Sequence, residues 1–138
     1  MLSSAVVNAV VAASDIDRAR AFYRDKLGLE PTVDQEGGLI YMCNGSWFLL
    51  YPSASAGTNR ATAMGFVVDD LAAEMAALRD RGVEFLEYDF PEFTTVGGIA
   101  EGEGQRFAWF ADSEGNIIAL TQITDAAMVE QFRSMMGG

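Results

Sequence analysis

The chain has 138 residues, half of them hydrophobic, and 20 acids against 9 bases give a formal net charge of −11. That charge argues against a nucleic-acid or anionic-membrane partner, since phosphates are held by Lys and Arg. Histidine is absent altogether, which removes Ser-His-Asp and Cys-His triads, imidazole bases and every His-containing zinc site.

Taken from the N-terminus, the apolar run from Ala5 to Ala13 is shorter than the roughly 20 residues a membrane span needs. Its first base, Arg18, follows the run rather than preceding it, so it reads as a buried strand and not as a signal peptide. Asp15 then stands where a helix N-cap belongs, and Gly28 where a helix ends. Strands follow at Leu39 to Cys43 and within Gly45 to Tyr51, joined by a Gly-containing hairpin turn. Cys43 is the sole cysteine, which forbids an internal disulfide and suits a reducing cytoplasm. At a turn, with no base nearby in sequence, it reads as an inert thiol rather than a nucleophile.

The same order of elements then recurs. Shifted by 55 residues, Asp15 falls on Asp70, Ile16 on Leu71 and Arg24-Asp25 on Arg79-Asp80. Gly28 meets Gly82 at 54, and Gly45-Ser46-Trp47 meets Gly115-Asn116-Ile117 at 70. Each copy reads as strand, Asp-capped amphipathic helix, then three strands. The second copy carries about fifteen additional residues within 86–105, a long glycine-containing loop of the kind that forms lids or simply aids solubility. Residues 1–60 hold six acids and five bases, and residues 61–138 hold fourteen and four. The acidity therefore belongs to the second copy. Met128, Val129, Phe132, Met135 and Met136 recur at helical spacing and predict a terminal helix packed on its own domain or on a partner.

The duplication, with Phe22-Tyr23-Arg24-Asp25-Lys26-Leu27-Gly28-Leu29 and Trp109-Phe110-Ala111-Asp112-Ser113-Glu114-Gly115-Asn116, resembles the vicinal oxygen chelate superfamily. This is the glyoxalase, bleomycin-resistance and extradiol-dioxygenase group; its members usually carry Pro where Ser113 stands. The resemblance covers residues 5–122. It implies an α+β fold, with two tandem βαβββ modules forming a cupped, partly open eight-stranded sheet, plus a C-terminal helix. One glyoxalase/bleomycin-resistance-like domain is expected over 1–138, with modules at about 1–56 and 57–123 and the helix at about 124–136.

In metal-using members the first and last strands of each module supply His, Gln or Glu ligands. Carried onto this sequence, the four positions hold Asn8, Leu49, Ala63 and Ala119. Alkyl groups offer no donor to a divalent cation, so no metal and no cofactor is expected. Metal-dependent glyoxalase, epimerase, fosfomycin-transferase or ring-cleaving dioxygenase chemistry is likewise not expected. By strand alternation, the face that relatives turn to the metal should carry Asn8, Tyr41, Trp47, Tyr51, Phe107, Trp109 and Thr121, an aromatic cup with few polar handles.

Three functions are compatible with that composition. The first is metal-independent binding of an aromatic or hydrophobic small molecule, a cationic one included, as in bleomycin-resistance-type sequestration. The second is a metal-independent lyase or isomerase of secondary metabolism that uses Tyr88, Asp89, Glu92 or Glu101. The third is a degenerate dimeric scaffold. Homodimerisation is expected under each, because open sheet edges and apolar faces need cover.

Overall fold

The computed structural model describes residues 1–136. After a single 3-10 turn at Leu2–Ser4, the elements are β1 (Ala9–Ala13), α1 (Ile16–Leu27), β2 (Val33–Gln35), β3 (Gly38–Cys43) and β4 (Ser46–Pro52). The second copy follows with β5 (Thr62–Val67), α2 (Leu71–Asp80), β6 (Ala100–Gly102), β7 (Gln105–Ala111), β8 (Ile117–Ile123) and then α3 (Ala126–Met135). The eight strands form two four-stranded sheets of matching order, β1-β4-β3-β2 and β5-β8-β7-β6. Both βαβββ modules and the C-terminal helix are present as expected.

The helix ends follow local chemistry. Asp15, Asp70 and Asp125 accept side-chain bonds from the N–H groups of Arg18, Ala73 and Met128, each satisfying one of the donors a first turn leaves unpaired. Gly28 adopts φ 71°, and the N–H groups of Gly28 and Leu29 turn back onto the carbonyls of Arg24 and Tyr23. That left-handed conformation costs glycine nothing and a Cβ-bearing residue something.

The chain divides into two compact units, Met1–Met64 with Asp112–Ile117, and Gly65–Ala111 with Ile118 onward. In the first, Val11, Ala13, Phe48 and Leu50 turn one sheet face inward against Ala19 and Tyr23 of α1. The opposite face of β4, Trp47, Leu49 and Tyr51, is only half-buried. In the second, Leu71 and Met75 of α2 are buried, as are Ala108, Phe110, Ile118 and Leu120 of the sheet, while Phe107 and Trp109 alternate to the half-buried face.

Residues 112–117 carry the polar core of the first unit. The Glu114 side chain is fully enclosed. Its carboxylate accepts from Arg18 Nε and Nη2, each at 2.9 Å, from the Asp15 N–H at 2.9 Å, from Ser14 Oγ at 3.1 Å and from Ser113 Oγ at 2.7 Å. Ser113 thus adds a donor to this carboxylate. Asp112 accepts from the Tyr23 hydroxyl at 2.8 Å and from the N–H groups of Glu114 and Asn116, each at 2.9 Å. The Asn116 side chain donates to Ala12 O at 2.7 Å and to Asp112 at 3.0 Å.

The 86–105 region is more ordered than a solvated loop. Phe85 bridges to Phe110, and the Leu86 N–H donates to Trp109 O at 2.8 Å. Leu86 therefore runs along β7, as β6 does further on, through Ala100 opposite Phe107. Residues 87–99 are an excursion between these two stretches, tied by bridges between Asp89 and Thr94 and between Val96 and Ile99.

The α3 stripe is covered only at its start. Met128 and Val129 are half-buried, whereas Phe132, Met135 and Met136 are exposed. Thr124 and Asp125 anchor the helix by donating their N–H groups to Gly104 O.

Candidate functional site

On the first unit, β1, β3 and β4 present the half-buried face. The two-residue turn Asn44-Gly45, with φ 47° and 84°, closes the β3–β4 hairpin in the geometry that matches strand twist. It places Met42 opposite Trp47 and Ile40 opposite Leu49. The face therefore carries Trp47, Leu49, Tyr51, Ile40 and Met42, with Val10 in register with Leu49.

Tyr41 departs from expectation. It lies opposite Phe48, stacks on that ring at 4.9 Å and 6°, meets Tyr23 at 5.6 Å and is fully buried. The physical reason is turn length. The short Asn44-Gly45 turn and the longer Asp112-to-Asn116 turn, closed by the Asp112 N–H on Asn116 O, set different registers. Tyr41 and Trp109 thus occupy opposite faces of their sheets despite matching by sequence. Burial pushes the Tyr41 phenol up to about 12, and its hydroxyl finds no hydrogen-bond partner among the described residues. Burial, then Asp112, raises the Tyr23 phenol well above the ordinary tyrosine range. Neither phenol is a proton shuttle near neutral pH.

Asn8 precedes β1, half-buried, and its amide donates to Ala9 O at 3.1 Å, a local backbone contact. Of the other family metal positions, Leu49 and Ala63 are in the first unit and Ala119 in the second. The side chains of Leu49, Ala63 and Ala119 carry no donor atom for a divalent ion, and the Asn8 amide is engaged with its neighbour. Burial raises the Cys43 thiol, which leaves it a poor nucleophile. A crevice of about 110 Å³ beside α1, lined by Asp17, Arg20, Asp34 and Leu39 among others, is spanned by the Arg20–Asp34 pair at 2.6 Å. It contains none of the predicted site residues.

On the second unit, the half-buried face is aromatic. Phe107 lies nearly parallel to Trp109, at 6.0 Å and 19°, and Thr121 is half-buried on β8. The excursion adds three rings. Phe93 meets Trp109 at 5.1 Å, Tyr88 meets Trp109 edge-on at 5.4 Å, and Phe90 stacks on Tyr88 at 5.5 Å. Phe90 and Phe93 are additions that sequence reading did not single out. Tyr-Asp-Phe-Pro-Glu-Phe at 88–93 carried the signal, because a segment kept only for solubility has no use for three aromatic rings.

The carboxylates weighed for catalysis do not converge. Asp89 is exposed and accepts from Thr94 Oγ1 at 3.2 Å. Glu92 is exposed, and Glu101 pairs with Arg106 at 3.5 Å with most of its side chain in water. Burial or a tight charge partner is what tunes such a group for proton transfer. Tyr88 is engaged in the ring cluster.

This fold, with its duplicated module, defines the class. The chain belongs to the Glyoxalase/Bleomycin resistance protein/Dioxygenase superfamily, whose family model matches residues 5–120. Among solved structures it is similar to a glyoxalase/bleomycin resistance protein from Catenulispora acidiphila, with 28% identity, a TM-score of 0.61, and 85% of this chain and 96% of that one covered. It is also similar to TnmS3, an antibiotic binding protein from a Streptomyces species, with 25% identity, a TM-score of 0.60, and 86% and 98% covered. A glyoxalase/bleomycin resistance protein/dioxygenase from Alicyclobacillus acidocaldarius shares the fold at 18% identity and a TM-score of 0.67, over 91% and 96% of the two chains. No curated protein matches the chain. Among the described residues no helix is long and apolar enough to cross a membrane.

Proposed function

We propose that the protein binds an aromatic or hydrophobic small molecule without a metal ion, in the manner of a sequestering resistance protein. The observation that carries this reading is the aromatic platform of the second unit, Trp109 with Phe107 and Tyr88. Such rings grip planar ligands by stacking and apolar burial. Thr121, half-buried on β8 of the same unit, is a hydrogen-bonding group in this reading. The similarity to an antibiotic binding protein supports a binding role. The excess of acids in residues 61–138 favours cationic ligands by steering. Metal-independent catalysis is less well supported, because its carboxylates are exposed and dispersed.

The protein acts in this reading as a cytoplasmic homodimer, with the exposed Phe132, Met135 and Met136 of α3 as the self-contact. Fluorescence titration with planar aromatic compounds, cationic and neutral, tests the binding function. Quenching of tryptophan emission with a rise in Tm, both unaffected by chelator, is the expected result. A panel that changes neither, or binding that chelator abolishes and zinc or nickel restores, overturns it.

A further inference from the structure

The indole of Trp109 is already covered by rings of its own chain. Phe93 lies over it tilted by 35°, with centroids 5.1 Å apart, while Tyr88 abuts it edge-on and Phe107 runs nearly parallel to it. The segment that brings Tyr88 and Phe93 there is fastened at both ends. At one end the Leu86 N–H donates to Trp109 O at 2.8 Å. At the other, Arg79 Nη2 donates to Gly97 O at 2.9 Å, and a Cβ on Gly98 would meet Met75 and Phe85 at 3.1 Å. Between these anchors the tip is a small paired unit, with the Phe90 N–H on Phe93 O and the Thr95 N–H on Tyr88 O, each at 2.9 Å. Phe90 at the tip is 49% exposed. Fixed stems and a self-paired, partly exposed tip are the build of a flap, one whose internal bonds would survive a motion of the whole segment.

Resting on the reading that Trp109 is a ligand platform, we propose that Phe93 is its gatekeeper. Its ring occupies the place on the indole that a planar ligand takes, and binding exchanges the Phe93–Trp109 contact for a ligand–Trp109 contact. The device sets specificity. A single-ring compound recovers no more contact than Phe93 gives up, whereas a fused polycyclic plane recovers more, so the site selects fused planar aromatics over small ones. A ring pair of this kind is worth up to about tenfold in an equilibrium constant, and that is the affinity the resident ring withholds.

Two measurements test the gate, with Phe93→Leu keeping apolar bulk under the flap and Phe93→Ala and Phe93→Trp bracketing it. In a Trp47→Phe background, where Trp109 is the remaining indole, acrylamide quenching without ligand reports its shielding. Phe93→Leu and Phe93→Ala should raise the quenching constant about twofold, because access to the ring face controls it. Titration with acridine orange, a fused three-ring cation, and with N-phenyl-1-naphthylamine, a neutral aromatic, reports binding. Phe93→Leu should tighten both by up to about tenfold, and Phe93→Trp should weaken both. Equal probe affinities in wild type and Phe93→Leu, or unchanged quenching, overturn the gate alone. If Phe93→Leu exposes Trp109 to acrylamide and still no variant binds either probe, the binding function falls and the gate with it.

Discussion

Arg18 and Glu114 form a two-pronged pair, Nε and Nη2 each 2.9 Å from a carboxylate oxygen, between residues 96 positions apart in the chain. Arg18 stands in the first turn of α1, and Glu114 in the turn that precedes β8. The guanidinium side chain is half in water while the carboxylate is fully enclosed, so the cost of burial falls on Glu114, and its five donors offset that cost. The Arg18 bonds, followed by those from the Asp15 N–H, Ser113 and Ser14, hold the Glu114 carboxyl down to about 2.

A carboxylate held low in the folded state stabilises above its unfolded value and loses that contribution as pH falls toward the folded one. Glu114 should therefore contribute on the order of 2 kcal/mol at neutral pH, limited by the solvation of Arg18, and lose it between about pH 4.5 and 2. Glu114→Gln should lower stability at pH 7 and flatten the acid limb of the curve. Urea unfolding at stepped pH checks both, and parallel curves for the two proteins from pH 5 to 2 would contradict the assignment.

Tyr23 and Tyr41 touch each other yet should respond oppositely to loss of the hydroxyl. The Tyr23 hydroxyl donates to Asp112 at 2.8 Å, and a bond to a buried carboxylate is worth about 2 kcal/mol. Tyr23→Phe should cost about that much. The Tyr41 hydroxyl is buried without a partner among the described residues, so Tyr41→Phe should be neutral or stabilising, within about 1 kcal/mol. Denaturant midpoints of the two variants give the comparison.

Gly57 packs its backbone on that of the 112–117 turn. It sits at φ 72°, and a Cβ there would fall 2.4 Å from Glu114 O. Gly57→Ala should cost about 3 kcal/mol through combined strain and clash. Gly37, where a Cβ would have nothing within 4 Å, is the control, and Gly37→Ala should stay within about 0.5 kcal/mol. Thermal unfolding of both separates backbone approach from a general intolerance of glycine replacement.

The exposed end of α3 offers the test of self-association. Phe132→Glu places a charge in the stripe formed with Met135 and Met136. If that stripe is the self-contact, the mass in solution should fall from dimer to monomer with little change in helix content. A dimer that survives Phe132→Glu together with Met135→Glu would assign the contact elsewhere.

Much of this was legible in the residues because it is local. Asp15 and Asp70 cap their helices through the N–H three positions on, and Gly28 ends its helix through its own φ; short-range chemistry of this kind needs no knowledge of the rest of the chain. The duplication reached further, since repeating the same local signals predicts the same module twice. The face of Tyr41 was beyond that reach. One turn of two residues and another of five shift the strand registers differently, and a register shift of one residue moves a side chain to the other face.

The sequence by itself determined the elements, their order and the repeat, because each depends on residue type or on neighbours a few positions away. Only the tertiary structure decided that Glu114 braces α1, that Tyr41 belongs to the core, and that Tyr88 and Phe93 meet Trp109 with Phe90 stacked on Tyr88. Those are contacts between distant segments. Their geometry is fixed by strand register and by the competition for buried space, which involve segments far apart in the chain.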